Sequence, residues 1–269
     1  MKKKYSNILI CIIFLIGLSL VLYPFVSDFI NDLKQSDVIT IYENTINELS
    51  EEDYSNQLDA ARDYNKYISQ FSNISTVLNL ESKYEGEQYE NILNLGSMGY
   101  LDIPLIDVKL PIFHGTEETV LQDGVGHYRG SSFPVGGNST HCVLTGHTGL
   151  PSSRLLTDID QLSEGDVFYI HVLNETLAYE VDQIKVVLPN EIDDISIVRG
   201  EDYCTLVTCT PYGINTHRLL VRGKRISYVD LSSEFENELQ ILPVFIVIFI
   251  GVMVYMLLSL IISKLRKKG

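Results

Sequence analysis

The stretch TLVTCTPYG, residues 205–213, joins a short β-prone run to a turn of threonine, proline and glycine, with a cysteine at the junction. Short β-prone runs separated by glycine and proline recur over residues 98–225, and this pattern indicates a closed barrel or a sandwich. A short helix is predicted at 151–158. The predicted strands are 98–103, 108–113, 142–145, 167–172, 178–187, 204–209 and 218–222.

The segment from residue 34 to residue 95 has a helical pattern. Val38, Tyr42, Ile46 and Leu49 recur at helical spacing, and Ser50 followed by three acidic residues is typical of a helix N-terminus. The apolar face continues at Leu58, Ala61, Tyr64 and Ile68. Because the opposite face is rich in Glu, Asp, Asn and Gln, we interpret most of this segment as a solvated stalk.

Two uncharged apolar runs, residues 8–26 and 241–262, are each about as long as the ~20 residues that cross a bilayer. For the first run a cleaved signal peptide is the alternative, but the sequence around Pro24 makes a poor cleavage site. Basic residues cluster at both ends of the chain, outside the two runs, and such clusters mark the cytoplasmic side. The sequence therefore predicts two spans, cytoplasmic termini and an extracellular middle.

Composition excludes several classes of protein. The chain has a net charge of -15, from 35 acidic and 20 basic residues, and nucleic-acid binding would need clustered Lys and Arg instead. A hydrophobic content of 45% excludes a disordered chain. Four cysteines in 269 residues are too few for a disulfide-dense scaffold.

Three residues near predicted strand ends have the chemistry of a cysteine-dependent acyl transfer. Cys209 offers a nucleophile, His147 a base or acid, and Arg218 a cation that favours the thiolate and can stabilise an oxyanion. Taken singly, a cysteine at a strand end is more often a core residue, and a histidine in a glycine-rich turn is more often a surface group. On spacing alone, both interpretations stay open.

These residues lie in motifs that resemble those of the sortases. TLVTC at 205–209 is similar to the TLxTC signature, LTGH at 144–147 resembles the sortase histidine motif, and Arg218 matches the arginine of the next strand. The GxGH, PVGG and TPYG motifs and the second span most resemble class C, the pilus-assembling sortases. Further matching blocks are GYLDIP at 99–104, VKLPI at 108–112, GVGH at 124–127 and SSFPVGG at 131–137.

The resemblance implies a fold and a mechanism. The fold is mainly β, a closed sortase-type barrel with short helices, preceded by the helical stalk and flanked by two transmembrane helices. Cys209 would attack the Thr–Gly bond of an LPxTG-like signal, with His147 protonating the leaving amine and Arg218 steadying the oxyanion. A lysine amine of a pilin subunit would then resolve the thioester, and no metal or organic cofactor is needed.

The sequence departs from class C in one respect. Those relatives carry a lid with an Asp-Pro-aromatic tripeptide before the barrel, whereas no proline lies between Pro24 and Pro104 here. The equivalent position is 71–80, where we hypothesise that an apolar residue among Ile74, Val77 and Leu78 covers Cys209. A weaker or absent lid is equally compatible with the sequence.

Further residues are candidates for contact with the substrate or for a disulfide. The candidate substrate contacts are Thr208, Tyr212, Ser131 and Ser132. Cys142 and Cys204 each precede a predicted catalytic residue by five positions, so adjacent parallel strands would bring the two thiols together. We favour two buried thiols over a disulfide, given the narrow geometry a disulfide needs. His127, His141 and His171 have no metal-ligand spacing with any cysteine or with each other, so no metal site is predicted.

Two rival functions remain at this point: attachment of single surface proteins to a peptidoglycan amine, and a non-catalytic surface adhesion or receptor module. The predicted organisation is a cytoplasmic tip (1–7), a span (8–26), the stalk (27–95), the catalytic barrel (96–230), a linker (231–240), a second span (241–262) and a basic tail (263–269). The expected partners are LPxTG-bearing pilins or surface proteins, together with the membrane.

Overall fold

The computed structural model describes residues 2–71, 86–191 and 193–228. The helices are α1 (Lys2–Glu48), α2 (Glu51–Ile68), α3 (Glu87–Glu90) and α4 (Glu118–Asp123), with short 3-10 helices at Pro104–Ile106, Ile159–Gln161 and Asp193–Ile195. The strands are β1 (Gly99–Ile103), β2 (Val108–His114), β3 (Val125–His127), β4 (Thr140–Thr145), β5 (Val167–Val172), β6 (Glu175–Val187), β7 (Asp202–Thr210) and β8 (His217–Ile226).

The eight strands form a closed barrel in the order β1-β2-β3-β4-β7-β8-β6-β5. Pairing is parallel between β2 and β3 and between β4 and β7, and antiparallel elsewhere. Closure leaves no free sheet edge. Alternate side chains fill the interior, where Leu101, Ile112, Leu144, Phe168 and Leu206 have no exposed surface. The barrel and its seven predicted strands are confirmed, and β3 is an additional strand.

Helix α1 contains the first predicted span and continues well beyond it. Its portion from Ile12 to Glu48 is long and apolar enough to cross a membrane, and none of its apolar window is buried against the rest of the protein. Leu20 and Val21 are 71% and 64% exposed, which suits contact with lipid rather than water. Residues 8–26 therefore form a candidate membrane anchor that runs without a break into the next predicted helix. The second predicted span, 241–262, lies outside the described residues.

In the described part of residues 34–95 most side chains are exposed, as a solvated segment requires, but the segment is not a free-standing stalk because its apolar stripe is buried. Helix α2 places Leu58, Ala61, Tyr64 and Ile68 in the same apolar core as the barrel residues. In α1, Ile39, Tyr42 and Ile46 are buried against Tyr100. The apolar stripe that the sequence shows on these helices is buried against the rest of the protein, because a helix with such a stripe is stabilised by covering it. Ser50 does cap α2, its side chain accepting a hydrogen bond from the Asp53 N–H.

A buried amide joins α2 to the loop before β4. Asn65 is 4% exposed, and its side chain exchanges two hydrogen bonds with the backbone of Phe133, at 2.7 and 3.1 Å. The Phe133 ring packs edge-on against Tyr64, with 4.6 Å between ring centroids. Because both polar groups of the amide are satisfied, burying Asn65 carries no unpaired donor or acceptor. Helix α2 is therefore fixed in register on the barrel.

The predicted helix at 151–158 is wrong. The segment is a series of turns, because Leu155 has a φ of 44°, which an α-helix does not accept. The backbone N–H of Leu156 donates to the carbonyl of His147 at 3.2 Å and closes the loop. The side chains of Leu155 and Leu156 nevertheless enter the core, as their spacing predicted, and helical structure begins only with the 3-10 turn at Ile159.

Candidate active site

Three of the residues singled out from the sequence meet at one end of the barrel. β4 and β7 are parallel neighbours, and Thr145 pairs with Val207. His147 and Cys209 each lie two residues beyond this pair, so the register places them side by side. Arg218 in β8 is the register partner of Cys209. Register partners project to the same face of a sheet. All three line one groove with a cavity volume of about 280 Å³.

The peptide before His147 is held by β7. The N–H of Gly146 donates to the carbonyl of Val207 at 3.0 Å, and the hydroxyl of Thr208 donates to the carbonyl of Gly146 at 2.8 Å. Gly146 is required here because a Cβ at this position would lie 2.8 Å from the Leu156 side chain. These contacts fix the backbone that carries His147 relative to the strand that carries Cys209.

The loop that follows His147 is attached to the anchor helix. The N–H of Arg154 donates to the Asp28 carboxylate at 2.8 Å, and the Asn31 side-chain amide donates to the carbonyl of Ser152 at 2.6 Å. Both helix residues lie just after the apolar stretch of α1. Helix α1 therefore contacts the loop near the candidate site with residues that lie just beyond the candidate anchor.

The rest of the groove is mainly apolar. Its floor is formed by a small buried cluster of side chains from β4, β6, β8 and the 3-10 helix at Asp193–Ile195, which are Val143, Val187, Leu220 and Ile195. Tyr128 and Val207 pack against this cluster and also line the groove. A groove of this kind suits an extended ligand with apolar side chains, and His147, Cys209 and Arg218 place polar groups beside it.

Glu118 is a candidate functional residue that the sequence did not indicate. Its carboxylate lies 3.2 Å from His147 Nε2, and its second oxygen accepts a hydrogen bond from the Gln122 side chain at 3.2 Å. The His147 side chain is 22% exposed and the Glu118 side chain 66% exposed. A carboxylate on one ring nitrogen fixes the orientation and tautomer of an imidazole, leaving the other nitrogen for chemistry.

We predict that Glu118 is a positioning residue for His147. The variant Glu118→Gln keeps a hydrogen-bonding side chain, whereas Glu118→Ala removes it, so kcat on a peptide substrate should fall by about 3-fold and about 10-fold respectively, with KM little changed. Steady-state kinetics measure both effects.

The matched control is Asp123→Asn, which removes an exposed carboxylate at the other end of α4. Glu118→Asp should recover part of the lost kcat, because it restores the carboxylate. If Glu118→Ala altered kcat no more than Asp123→Asn, the positioning role would be excluded.

The predicted substrate contacts are divided between the site and the core. Thr208 lines the groove, but its hydroxyl is used on Gly146. Tyr212 is 67% exposed and lies beside Cys209 in a second cavity. Ser131 and Ser132 are not at the groove, since they are 1% and 0% exposed, and a side chain without surface cannot contact a substrate.

The two serines instead belong to a buried network under the loop before β4. Ser131 Oγ lies 3.1 Å from His127 Nε2, and Ser132 Oγ accepts a hydrogen bond from the His141 N–H at 3.0 Å. Burial lowers the pKa of His127 to about 3 and that of His141 to about 4, so both rings are neutral at pH 7. Their role is to hold the core, which accounts for the polar residues at these positions.

The lid hypothesis concerns residues that the structure does not describe. Ile74, Val77 and Leu78, and all but the first residue of 71–80, lie outside the described ranges. Phe71, the last residue before them, packs edge-on against Tyr67 of α2, with 5.4 Å between ring centroids.

Cys142 and Cys204 are register partners across β4 and β7, as the equal offsets predicted. Both are free thiols and buried, whereas Cys209 is partly exposed. Burial, together with a hydrogen bond to Cys142, raises the pKa of the Cys204 thiol well above its ordinary value. A neutral buried thiol is a poor nucleophile, so of Cys142, Cys204 and Cys209 only Cys209 combines access with basic neighbours.

Comparison with known proteins identifies the family. The sequence of residues 101–226 matches the protein-family model that describes the sortase domain. The structure of sortase C-1 from Streptococcus pneumoniae is 46% identical and has a TM-score of 0.64, covering 71% of this chain and 98% of that one. The chain belongs to the sortase family. Sortases are cysteine transpeptidases.

Further relatives refine this assignment. A pilus-related sortase C of Group B Streptococcus is 41% identical with a TM-score of 0.63, over 70% of this sortase and 97% of that chain. These likenesses assign the sortase to class C. Sortase D of Bacillus subtilis is 30% identical over 132 residues, 48% of this chain, and the aligned part spans 64% of that relative, slightly under two thirds of its length.

Proposed function

We propose that this sortase is a membrane-anchored cysteine transpeptidase that polymerises pilin subunits. It would cleave an LPxTG-like sorting signal between Thr and Gly and transfer the new carboxyl end to a lysine amine of another pilin. The observation that carries the proposal is the convergence of Cys209, His147 and Arg218 on one groove, in a chain of the sortase family with pilus-related sortases C among its similar structures.

The proposed chemistry follows from the groups in the groove. The Cys209 thiolate adds to the carbonyl carbon of the Thr–Gly bond, and Arg218 stabilises the charge that develops on the oxygen. His147 as imidazolium gives its proton to the departing glycine amine, which leaves a thioester. The neutral imidazole then takes a proton from the incoming amine, a C–N bond replaces the C–S bond, and the thiolate is restored.

The apolar floor supports a peptide substrate of this composition. Leucine and proline side chains of the signal would lie against Val187, Ile195 and Leu220, where burying them contributes about 25 cal/mol per Å² of apolar surface. Thr208 acts indirectly in this proposal, by holding Gly146 and so the backbone next to His147.

The proposed arrangement in the cell follows the charge pattern. Residues 8–26 and 241–262 would each span the membrane, with the tip at 1–7 and the tail at 263–269 in the cytoplasm. The catalytic barrel at 96–230 would then lie outside, with residues 27–95 before it and a linker at 231–240 after it. The basic residues at both ends of the chain support this orientation.

The test is a reconstituted polymerisation. The full chain in detergent micelles is mixed with a pilin subunit that carries an LPxTG-like signal, and covalent oligomers are sought by denaturing electrophoresis. A ladder of isopeptide-linked subunits, confirmed by mass spectrometry, is expected. Cleavage that yields only hydrolysed monomer would reject polymerisation, and an intact signal would reject the transpeptidase activity as well.

A further inference from the structure

A second cavity reaches Cys209 from a different side. Its volume is about 360 Å³, and it shares Thr208 and Cys209 with the groove. Successive residues of β8 line different cavities: Arg218 and Leu220 line the groove, and Leu219 lines the second cavity. Side chains alternate between the two faces of a strand, so the two cavities approach the thiol from opposite faces of β8.

The lining of the second cavity is polar and acidic where the groove is apolar. Asp158 and Asp160 both contribute to it. Asp158 is neutralised by an ion pair with Arg154. Asp160 is exposed and has neither an ion pair nor a side-chain hydrogen bond within the described part of the chain. The cavity therefore holds one uncompensated negative charge.

Thr148 lines the same space with a hydroxyl that has no partner in the described part of the protein. It is 8% exposed and lines the cavity, and its side chain makes no hydrogen bond to any described residue. A hydroxyl that faces a cavity without a protein partner is available to a ligand, and a ligand that carries an N–H group would supply that partner. At the rim the exposed ring of Tyr212 lies over Gly149, where a Cβ would come within 3.1 Å of the ring.

We infer that this cavity is the subsite for the amine that resolves the thioester, and that it accepts a primary ammonium on an alkyl chain, as in a lysine side chain. The inference rests on the proposed function. With the acyl peptide lying in the groove, the amine needs a separate path to the thioester carbon, and the cavity provides one that ends at Cys209. The Asp160 carboxylate attracts the ammonium, and the Thr148 hydroxyl accepts a hydrogen bond from an N–H of the ammonium. The Tyr212 ring offers a cation–π contact.

The atoms balance in this step. The ammonium releases one proton to solvent and reaches the thioester as a neutral amine. Nitrogen forms a bond to the carbonyl carbon, the C–S bond breaks, and its electron pair stays on Cys209 as thiolate. The second amine proton passes to His147, which returns to imidazolium.

The test measures how the thioester divides between aminolysis and hydrolysis. The full chain in detergent is given an LPxTG-like peptide with Nα-acetyl-lysine amide or, separately, hydroxylamine, which is uncharged at neutral pH. Asp160→Asn and Thr148→Val should each lower the ratio of lysine adduct to hydrolysed product by about 2- to 5-fold. Asp160→Asn should leave the ratio obtained with hydroxylamine unchanged, because a neutral amine does not respond to that charge.

The matched controls separate charge from fold. Glu164→Gln removes an exposed carboxylate from the same connection outside the cavity and should behave as the parent, and Thr148→Ser should retain the parent ratio. A ratio for Asp160→Asn equal to that of Glu164→Gln would overturn the subsite while leaving the transpeptidase intact. Failure of the parent to form any thioester would overturn the proposed function itself.

A second arm distinguishes the two sources of amine. A pilin subunit and a peptidoglycan stem peptide are offered in turn at equal concentration. The lysine of the pilin is expected to be the better acceptor, with an effect of Asp160→Asn that matches that on acetyl-lysine amide. Preferential use of the stem peptide would overturn the assignment of the cavity to a pilin lysine.

Discussion

Replacing Cys209 by alanine is expected to abolish cleavage of an LPxTG-like peptide, with a loss of at least about 10³-fold in kcat/KM. In the proposed mechanism the thiolate forms the acyl-enzyme, and none of the other residues lining the groove can replace a soft nucleophile at this position. Peptide cleavage followed by chromatography measures the rate, and mass spectrometry should detect the thioester in the parent and not in the variant.

The chain supplies its own matched controls for this experiment. Cys142→Ala and Cys204→Ala each remove a thiol, but both thiols are buried in the barrel wall, away from the groove. These variants should keep the rate of cleavage within about 2-fold and lose some stability instead, as small truncations in a core do. Cleavage by Cys209→Ala at the parental rate would show that Cys209 is not the nucleophile, whereas a parent protein that failed to cleave the peptide would favour the non-catalytic module considered from the sequence.

The barrel was predictable because the local sequence identifies most of its strands and the turns between them. Seven of the eight strands coincide with β-prone runs between glycine or proline turns. β3 escaped prediction because it has only three residues, Val125–His127, and sits between glycines that read as a turn. Its position depends on parallel pairing with β2 and antiparallel pairing with β4, which are long-range contacts that no local pattern reports.

For the helices before the barrel, the amphipathic pattern predicts which face is apolar but not what that face packs against. The stripe at Leu58, Ala61 and Ile68 was visible in the sequence, but the surface that covers it was not. Asn65 is the clearest case. An asparagine is expected to be exposed, but this side chain is buried and its polar groups are satisfied by two hydrogen bonds with the Phe133 backbone. Burial of a polar residue depends on a partner 68 positions away, which only the fold supplies.

The sequence predicted those residues of the candidate site that belong to recognisable motifs, and it missed the residue that does not. His147 follows β4, Cys209 lies near the end of β7 and Arg218 lies near the start of β8. Each belongs to a recognisable motif, so the resemblance to the sortases grouped them before the fold was known. Glu118 lies 29 residues from His147 in an unremarkable acidic segment, and the contact exists only because α4 packs next to β3 and the end of β4. Ser131 and Ser132 were predicted to contact the substrate, whereas both are buried in the core.

Replacing Arg218 by lysine is expected to lower kcat by about 10²- to 10³-fold although the positive charge is kept. Arg218 is the register partner of Cys209, and its Nη1 donates to the backbone carbonyl of His217 at 3.1 Å, which holds the guanidinium near the groove. A lysine has one compact ammonium in place of a planar fork, so it cannot bond to the protein and to a developing oxyanion at once. Steady-state kinetics on the peptide substrate should show the loss mainly in kcat.

Arg199→Lys is the matched control, since it makes the same exchange on an exposed side chain away from the groove and should leave kcat unchanged. Arg218→Gln distinguishes charge from geometry, because it keeps a planar amide donor without the charge. If Arg218 acts only as a point charge, the lysine variant retains most of the parental kcat and the glutamine variant loses it. If Arg218 acts as an oriented donor to the oxyanion, both variants lose kcat and neither substitutes for the guanidinium.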